Sequence, residues 1–311
     1  MRLSLIIPAK DPNDPKLKEL LASIEAQDFP KEEMEVLVIT EGTSESAKAI
    51  GIRKARGEVI GILASDNKLN SKYFLKDLTR PLFELSWLTG AYPGNYTAEN
   101  LDALGRYFAF IGGNDPLAYY MKKNDRFPIG RWPGNLKGRG DYTILYFQHD
   151  NTPSIGDNGF FVRKSVILES NIDDYYHIDN PYESMLQGND AYAVVRQRIV
   201  HNTGGNIFHF FAKRYRYGLQ HAFNPNRRWH LVDFRKPKDI ARLIWFVVTS
   251  FTFVEPLMLS IRGYRKIRDK AWFLHPLVCF LTLITYSLLC AHIVLSRASR
   301  LSFAHMAARR A

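Results

Sequence analysis

Apolar residues gather early in the chain into three short, dense runs, RLSLIIPAKD, MEVLVIT and GEVIGILASDN, each closed by polar or turn-forming residues. Runs of this kind predict strands buried on both faces. Between the first two, Leu17, Leu20, Leu21 and Ile24 recur at helical spacing, and between the second and third a short helix is expected over residues 47–56, ended by Gly57. The first seventy residues therefore predict strand, helix, strand, helix, strand, a layout that implies parallel strands joined by right-handed crossovers. No GxGxxG or GxxxxGK follows the first strand, so neither a dinucleotide fingerprint nor a P-loop is expected.

The third run stops abruptly at Asp66 and Asn67. In an open α/β sheet the carboxyl ends of the strands are where ligands bind, and a carboxylate presented there suits a divalent cation holding a phosphorylated ligand. The competing role for Asp66 is to cap a helix in the segment after Leu69. Further on, residues 90–151 are rich in Gly, Pro, Asn, Tyr and Trp, with IGGNDP, RFPIGRWPGN and KGRGDY and little sustained periodicity. That stretch predicts either acceptor-side functional loops or a loop-rich cover for the sheet edge. Order resumes at SIGDNGFFVRKSVI, which predicts a short strand and a helix, and at YAVVRQRIVHNTGG, which predicts a strand ending at His201.

LSLIIPAKD, a helix ending in SIEAQDFP, EVLVITEGTS and AIGIRKARGEVIGILASDN together resemble the opening of the family 2 glycosyltransferases, inverting sugar-transfer enzymes with the GT-A fold. The resemblance spans about the first 85 residues in register and continues more weakly to about residue 220. It implies an α/β GT-A fold with a mixed, mostly parallel sheet. By the same resemblance Pro8, Ala9 and Asp11 fall where the family holds the nucleotide base, and Glu41 near the position that contacts base or ribose. Asp66 falls on the last carboxylate of the metal-binding DxD motif, with Asn67 beside it on the donor side. Ala64 replaces the first Asp of that motif, which leaves the implied Mg²⁺ or Mn²⁺ with one oxygen ligand fewer.

The later echoes imply further roles. Asp157 and Asn158 fall on the acceptor side, although Asp157 is equally suited to forming a turn. Asp179, in YYHIDNPYESML, falls where the family places its general base, the group that deprotonates the acceptor hydroxyl as it attacks the anomeric carbon; capping the helix that begins near Pro181 is its structural alternative. His201 falls where some members supply another metal ligand, or is simply a satisfied histidine at a strand end. Lys213, Arg214 and Arg216 fall where cations clamp the diphosphate, with membrane-surface contact as the alternative.

Charge changes the picture of the C-terminal third. Residues 213–311 hold 18 Lys and Arg against 4 Asp and Glu, a net of +14, leaving −3 for residues 1–212. A basic block invites nucleic acid or anionic lipid, and hydrophobicity decides for lipid. Residues 271–295 contain no Lys, Arg, Asp or Glu over a length able to cross a bilayer. Residues 240–261 are nearly as apolar but are interrupted by Arg242, Glu255 and Pro256, which predicts an interfacial or bent helix, with a spanning one as the alternative. The connecting RGYRKIRDK is strongly basic, so the positive-inside tendency favours a cytoplasmic location for it and for the catalytic domain. RLSLIIP is too short an apolar run for a secretory leader. Cys279 and Cys290 would lie about 16 Å apart along one helix, too far for a bridge.

The expectation is a catalytic domain over residues 1–235 and membrane-associated helices with a basic tail over 236–311. The function it implies is inverting transfer, with hexosyl transfer favoured, from a nucleotide-sugar donor to a lipid-linked or polysaccharide acceptor in cell-envelope synthesis, without nucleic acid. Two rivals stand beside it. A non-catalytic nucleotide-sugar or glycan-binding module accounts for Ala64, and a sugar nucleotidyltransferase shares the layout but needs glycines that PAKDPNDPK lacks.

Overall fold

A computed structural model describes residues 1–169, 175, 177–203, 205–222 and 228–308, with side chains given except at 221 and 297–308. The three apolar runs form β1 (Leu3–Pro8), β2 (Met34–Ile39) and β3 (Val59–Ile62), with α1 (Pro15–Glu25) and α2 (Ser44–Lys54) as the crossovers. Both β2 and β3 pair with β1 in parallel. Gly57 does not end α2, whose C-cap is Ala55; it lies against β1, where a Cβ would come 2.5 Å from the Ser4 nitrogen.

Beyond β3 follow β4 (Asn67–Leu69), α3 (Phe74–Glu84), β5 (Gly90–Tyr96), α4 (Ala103–Ile111), α5 (Pro116–Met121) and β6 (Tyr142–Tyr146). β7 (Phe160–Arg163), α6 (Lys164–Glu169), α7 (Asp179–Leu186) and β8 (Ala191–His201) complete the α/β part. The stretch expected to be loops thus contains two strands and two helices. Among the described residues the sheet has eight strands in the order β2-β1-β3-β7-β5-β8-β4, with β6 also on β8. β1, β2, β3, β5 and β8 run one way, and β4, β6 and β7 run against them. This is the mixed, mostly parallel α/β sheet expected.

Two apolar layers sandwich it. Leu17, Leu20 and Ile24 of α1 and Leu75, Leu78 and Leu82 of α3 cover one face; Ala49 and Ile52 of α2 and Val166 and Ile167 of α6 cover the other. Burying each of the Leu, Ile and Val side chains contributes about 1.5–3 kcal/mol, which is why these positions are apolar at helical spacing.

The C-terminal third is helical: α8 (Ile207–Ala222), α9 (Pro237–Thr252), α10 (Val254–Lys266), a short 3₁₀ turn (Lys270–Leu274) and α11 (His275–Ala308). These helices dock on the α4–α5 insertion. Tyr107, Phe108 and Phe110 of α4 pack with Phe211, Trp272 and Val278, and Leu117 and Met121 of α5 pack with Phe246 and Cys279. α9 and α10 meet at an angle of 84° at Phe253, whose φ is +62°. The nearly apolar stretch 240–261 is therefore bent. Residues 270–296 form one helix long and apolar enough to cross a membrane. Both cysteines are free.

Candidate functional site at the carboxyl edge of the sheet

Because β1, β3, β5 and β8 run in the same direction, Pro8, Ile62, Tyr96 and His201 all end at one edge. The residues before β7 and β4 reach the same edge from the other direction. Asp66 sits at the tip of the β3–β4 turn. Asn67 closes that turn: its backbone N–H donates to the Ala64 carbonyl (3.0 Å) and its Oδ1 accepts the Ala64 N–H (2.9 Å). The Asn67 amide also donates to Asn158 Oδ1 at 3.1 Å and is buried, so it works as a bracket behind Asp66. No helix is capped by Asp66, since α3 begins at Phe74 with Tyr73 as its cap.

Asn67 pairs with His201 across the sheet, which brings His201 Nε2 to 3.6 Å from Asp66 Oδ1. Their side chains are 14% and 26% exposed, open enough to meet a ligand. Lys16 of α1 donates to the Asn202 carbonyl at 2.8 Å and, with Asp66, Asn67, Glu99 and Asn100, lines a small cavity of about 70 Å³.

The edge continues as one connected set of polar groups. The His201 ring lies 5.5 Å from that of Tyr96, whose hydroxyl donates to Asp125 and accepts from the Asn158 amide at 3.2 Å. Burial raises the Tyr96 phenol well above its ordinary range, so it stays a donor. The Arg126 guanidinium pairs with Asp125 (2.6 Å) and donates to the carbonyls of Asp157 (3.2 Å) and Asn158 (2.8 Å). Burial pushes the Asp125 carboxyl up, against the pull of Arg126 and the Tyr96 hydroxyl. Asp157 behaves oppositely. Its burial acts upward too, but the Lys48 ammonium at 2.7 Å, His177 and the Asn158 N–H outweigh it and hold the carboxyl down at about 2. Sequence reasoning gives Asp125, Arg126 and Tyr96 little signal beyond the adjacent acidic–basic pair Asp125–Arg126.

The expected site residues separate into groups. Asp66, Asn67, Asp157, Asn158 and His201 belong to this one network. Pro8 and Ala9 lie at the same edge, the Ala9 N–H donating to the Ile39 carbonyl at 2.9 Å. Asp11 and Glu41 are exposed on the loops just beyond, Asp11 Oδ1 accepting the Asn13 N–H at 2.8 Å. Asp179 is buried. It is the first residue of α7, not its cap, and its Oδ1 accepts the backbone N–H of Trp229 at 2.6 Å. The segment leading into α7 abuts the Asp157 turn: Tyr175 donates to the Gly156 carbonyl at 2.9 Å, and a Cβ on Gly156 would fall 1.5 Å from the His177 oxygen.

The cations of α8 stand apart from that network. Arg214 is half-buried and holds Asp115 (2.7 Å), the Asn114 side chain (3.1 Å) and the Tyr286 hydroxyl (2.9 Å), tying α8 to α5 and α11. Lys213 and Arg216 are exposed, with the Lys213 ammonium 5.7 Å from the Tyr217 ring.

Among the described residues no three His, Cys, Asp or Glu side chains converge as a metal site. Asp66 and His201 together supply one carboxylate and one imidazole, a partial donor set. It fits an octahedral cation that takes its other ligands from water and phosphate oxygens, with the imidazole suiting Mn²⁺ better than Mg²⁺.

No family model matches this chain, and no curated protein matches it. Among solved structures it is similar to residues 1–349 of Staphylococcus aureus TarS, at 16% identity over 91% of this chain and 81% of that one, with a TM-score of 0.43. The same protein in complex with UDP-GlcNAc gives 16% identity, 93% and 90% coverage and a TM-score of 0.41. A mannosyltransferase from Pyrobaculum calidifontis in complex with GDP-Man and Mn²⁺ gives 11% identity, 92% and 86% coverage and a TM-score of 0.47. Overlap this loose leaves the site's own geometry to indicate its chemistry.

Proposed function

We propose that this protein is a membrane-associated inverting glycosyltransferase that moves a sugar from a nucleotide-diphosphate sugar to a lipid-linked or polysaccharide acceptor at the cytoplasmic membrane face. The observation that carries the reading is the meeting of Asp66 and His201, 3.6 Å apart, at the carboxyl edge of the parallel strands, with Pro8 and Ala9 at the same edge. That edge is where open α/β sheets take nucleotides.

In this reading the base and ribose lie along Pro8, Ala9, Asp11 and Glu41. The charge on the departing diphosphate is neutralised by Mg²⁺ or Mn²⁺ when one is bound at Asp66 and His201. Lys16, beside Asp66, adds a cation to the same side. The acceptor hydroxyl attacks the anomeric carbon as the bond to the diphosphate breaks, and its proton passes to Asp179. The Trp229 N–H on Asp179 Oδ1 fixes how that carboxylate is turned.

Membrane association is supported by composition and exposure together. Ile244, Trp245, Val248 and Phe251 of α9, Leu257 and Met258 of α10, and Leu277, Ile284 and Leu288 of α11 are all exposed. Apolar surface on that scale marks a membrane or protein contact, and the basic residues 262–270 beside it favour an anionic leaflet.

The test is turnover of a panel of UDP-, GDP- and dTDP-sugars by the full chain in native membranes with extracted lipid acceptors, with Asp179→Asn as control. Transfer with release of nucleoside diphosphate is expected. Asp179→Asn should keep donor binding and lose ~10² to 10⁴ in transfer rate. Unchanged transfer would remove Asp179 from the role. Binding without turnover by the wild type would favour the non-catalytic module that Ala64 suggests, and pyrophosphate release the nucleotidyltransferase.

A further inference from the structure

A second cavity, of about 210 Å³, adjoins the Asp66 cavity and shares Asn70 with it; its other walls are Trp132, Arg139, Arg196, Gln197 and Arg198. It exists because two short strands divide the outer edge of β8. β6 pairs with β8 up to Val195 and β4 pairs with it from Ile199, so residues 196–198 have neither strand opposite them. Gly94 lets the Trp132 ring lie directly against β5, since a Cβ there would be 2.8 Å from the ring.

Three guanidinium groups face this space with one carboxylate among them. Asp77 accepts from Gln197 at 2.7 Å and stands 3.6 Å from Arg139. Arg196 lies over the Trp132 ring at 5.6 Å and donates to the Lys137 carbonyl, while its Nε is buried without a partner. The Arg198 side chain is half-buried and makes no hydrogen bond or ion pair among the described residues. Gathering like charges is unfavourable unless an anion completes the set, and guanidinium forks match phosphate oxygens bidentately. A doubly charged phosphate would balance the local excess, where one carboxylate would not.

We infer that this cavity binds a phosphate group carried by the acceptor, either in a lipid headgroup or in a soluble phosphorylated glycan. The inference rests on the glycosyl-transfer reading only for the word acceptor, because phosphate binding is measurable without donor or turnover.

Glycerol 1-phosphate binding to the full chain in detergent, followed by ³¹P line broadening, tests it. A parallel arm follows flotation with vesicles containing phosphatidylglycerol or only phosphatidylcholine. Arg196→Gln/Arg198→Gln should weaken glycerol phosphate binding at least ~10-fold with an unchanged melting temperature, and Arg198→Lys should retain part of it. Loss of soluble binding alone assigns a glycan source, and loss of selective flotation on phosphatidylglycerol assigns a lipid source. Equal behaviour of wild type and double variant in both arms overturns the proposal. Absence of donor turnover in the wild type would sink the transferase reading and leave these binding results standing.

Discussion

Removing the Lys48 ammonium tests whether charge holds the floor of the site. Lys48→Met keeps an apolar stem but takes from the Asp157 carboxylate the ammonium 2.7 Å away; the two side chains are 2% and 17% exposed. Breaking such a buried pair from one side costs ~3–5 kcal/mol. The carboxyl's own share can be bounded separately. Its pKa falls from 3.8 to about 2 on folding, a difference worth about 2 kcal/mol. Since the folded value is the lower one, this stability is fully present above pH 4 and drains away as pH falls toward 2. The assay is the melting temperature of the full chain in detergent from pH 7 to pH 2.5. At about 2 °C per kcal/mol for a chain of this size, Lys48→Met should melt about 6–10 °C lower at pH 7 and show a flatter acid limb. Lys48→Met/Asp157→Asn should regain most of the loss. If transfer also returns in the double variant, Asp157 serves the fold; if only stability returns, it serves the acceptor. A single variant melting within about 1 °C of wild type, with an unchanged acid limb, would refute the argument.

Three further outcomes follow from the geometry. Asp66→Ala should lower transfer at least ~10²-fold, as expected for several kcal/mol of lost transition-state stabilisation, while melting within about 2 °C of wild type because no helix depends on it; initial rates over a Mn²⁺ titration and a melt check both halves. Arg214→Met should cost ~1.5–3 kcal/mol of stability by taking the guanidinium from Asp115, which keeps the Tyr286 hydroxyl and the Leu117 N–H, and should leave the donor KM unchanged; a raised KM with normal melting would return Arg214 to the diphosphate. Gly156→Ala combines φ +127° with a Cβ 1.5 Å from a backbone oxygen, so it should lose more than ~3 kcal/mol and yield little folded protein, which expression and size-exclusion chromatography would show.

The parts of the fold that follow from one-dimensional pattern were legible. β1 and β3 are dense in Val, Ile and Leu because both faces are covered, whereas β2, expected to be equally buried, is the half-buried edge strand; α1 shows its buried stripe directly. β5 was not legible, although it lies in the middle of the sheet with all seven residues buried. GAYPGNY looks like a loop, yet Gly90 admits the Phe161 carbonyl, Gly94 admits Trp132, and Pro93 sits where the register with β8 shifts. Close approach and a bulge, not apolar burial, select its residues. The site divides along the same line. Asp66 and His201 stood out because each closes an apolar run, whereas Asp125 acquires its meaning from Tyr96, itself held by Asn158, which reaches it only through the fold. Arg214 shows the converse: a cation cluster in sequence dissolves once Asp115, 99 residues away, claims its centre.

On the membrane-associated reading, the turn at Phe253 sets how the chain can enter lipid. α9 and α10, of 16 and 13 residues, reach about 24 and 20 Å, each short of the ~30 Å oily slab. Neither limb can traverse it alone, and with an 84° corner between them the pair is either one broken span or a re-entrant loop. A re-entrant pair would leave α11 as the one span among the described residues and keep Arg262, Arg265, Lys266, Arg268 and Lys270 in the water phase of the sheet. A broken span would make the count two and carry those five charges across.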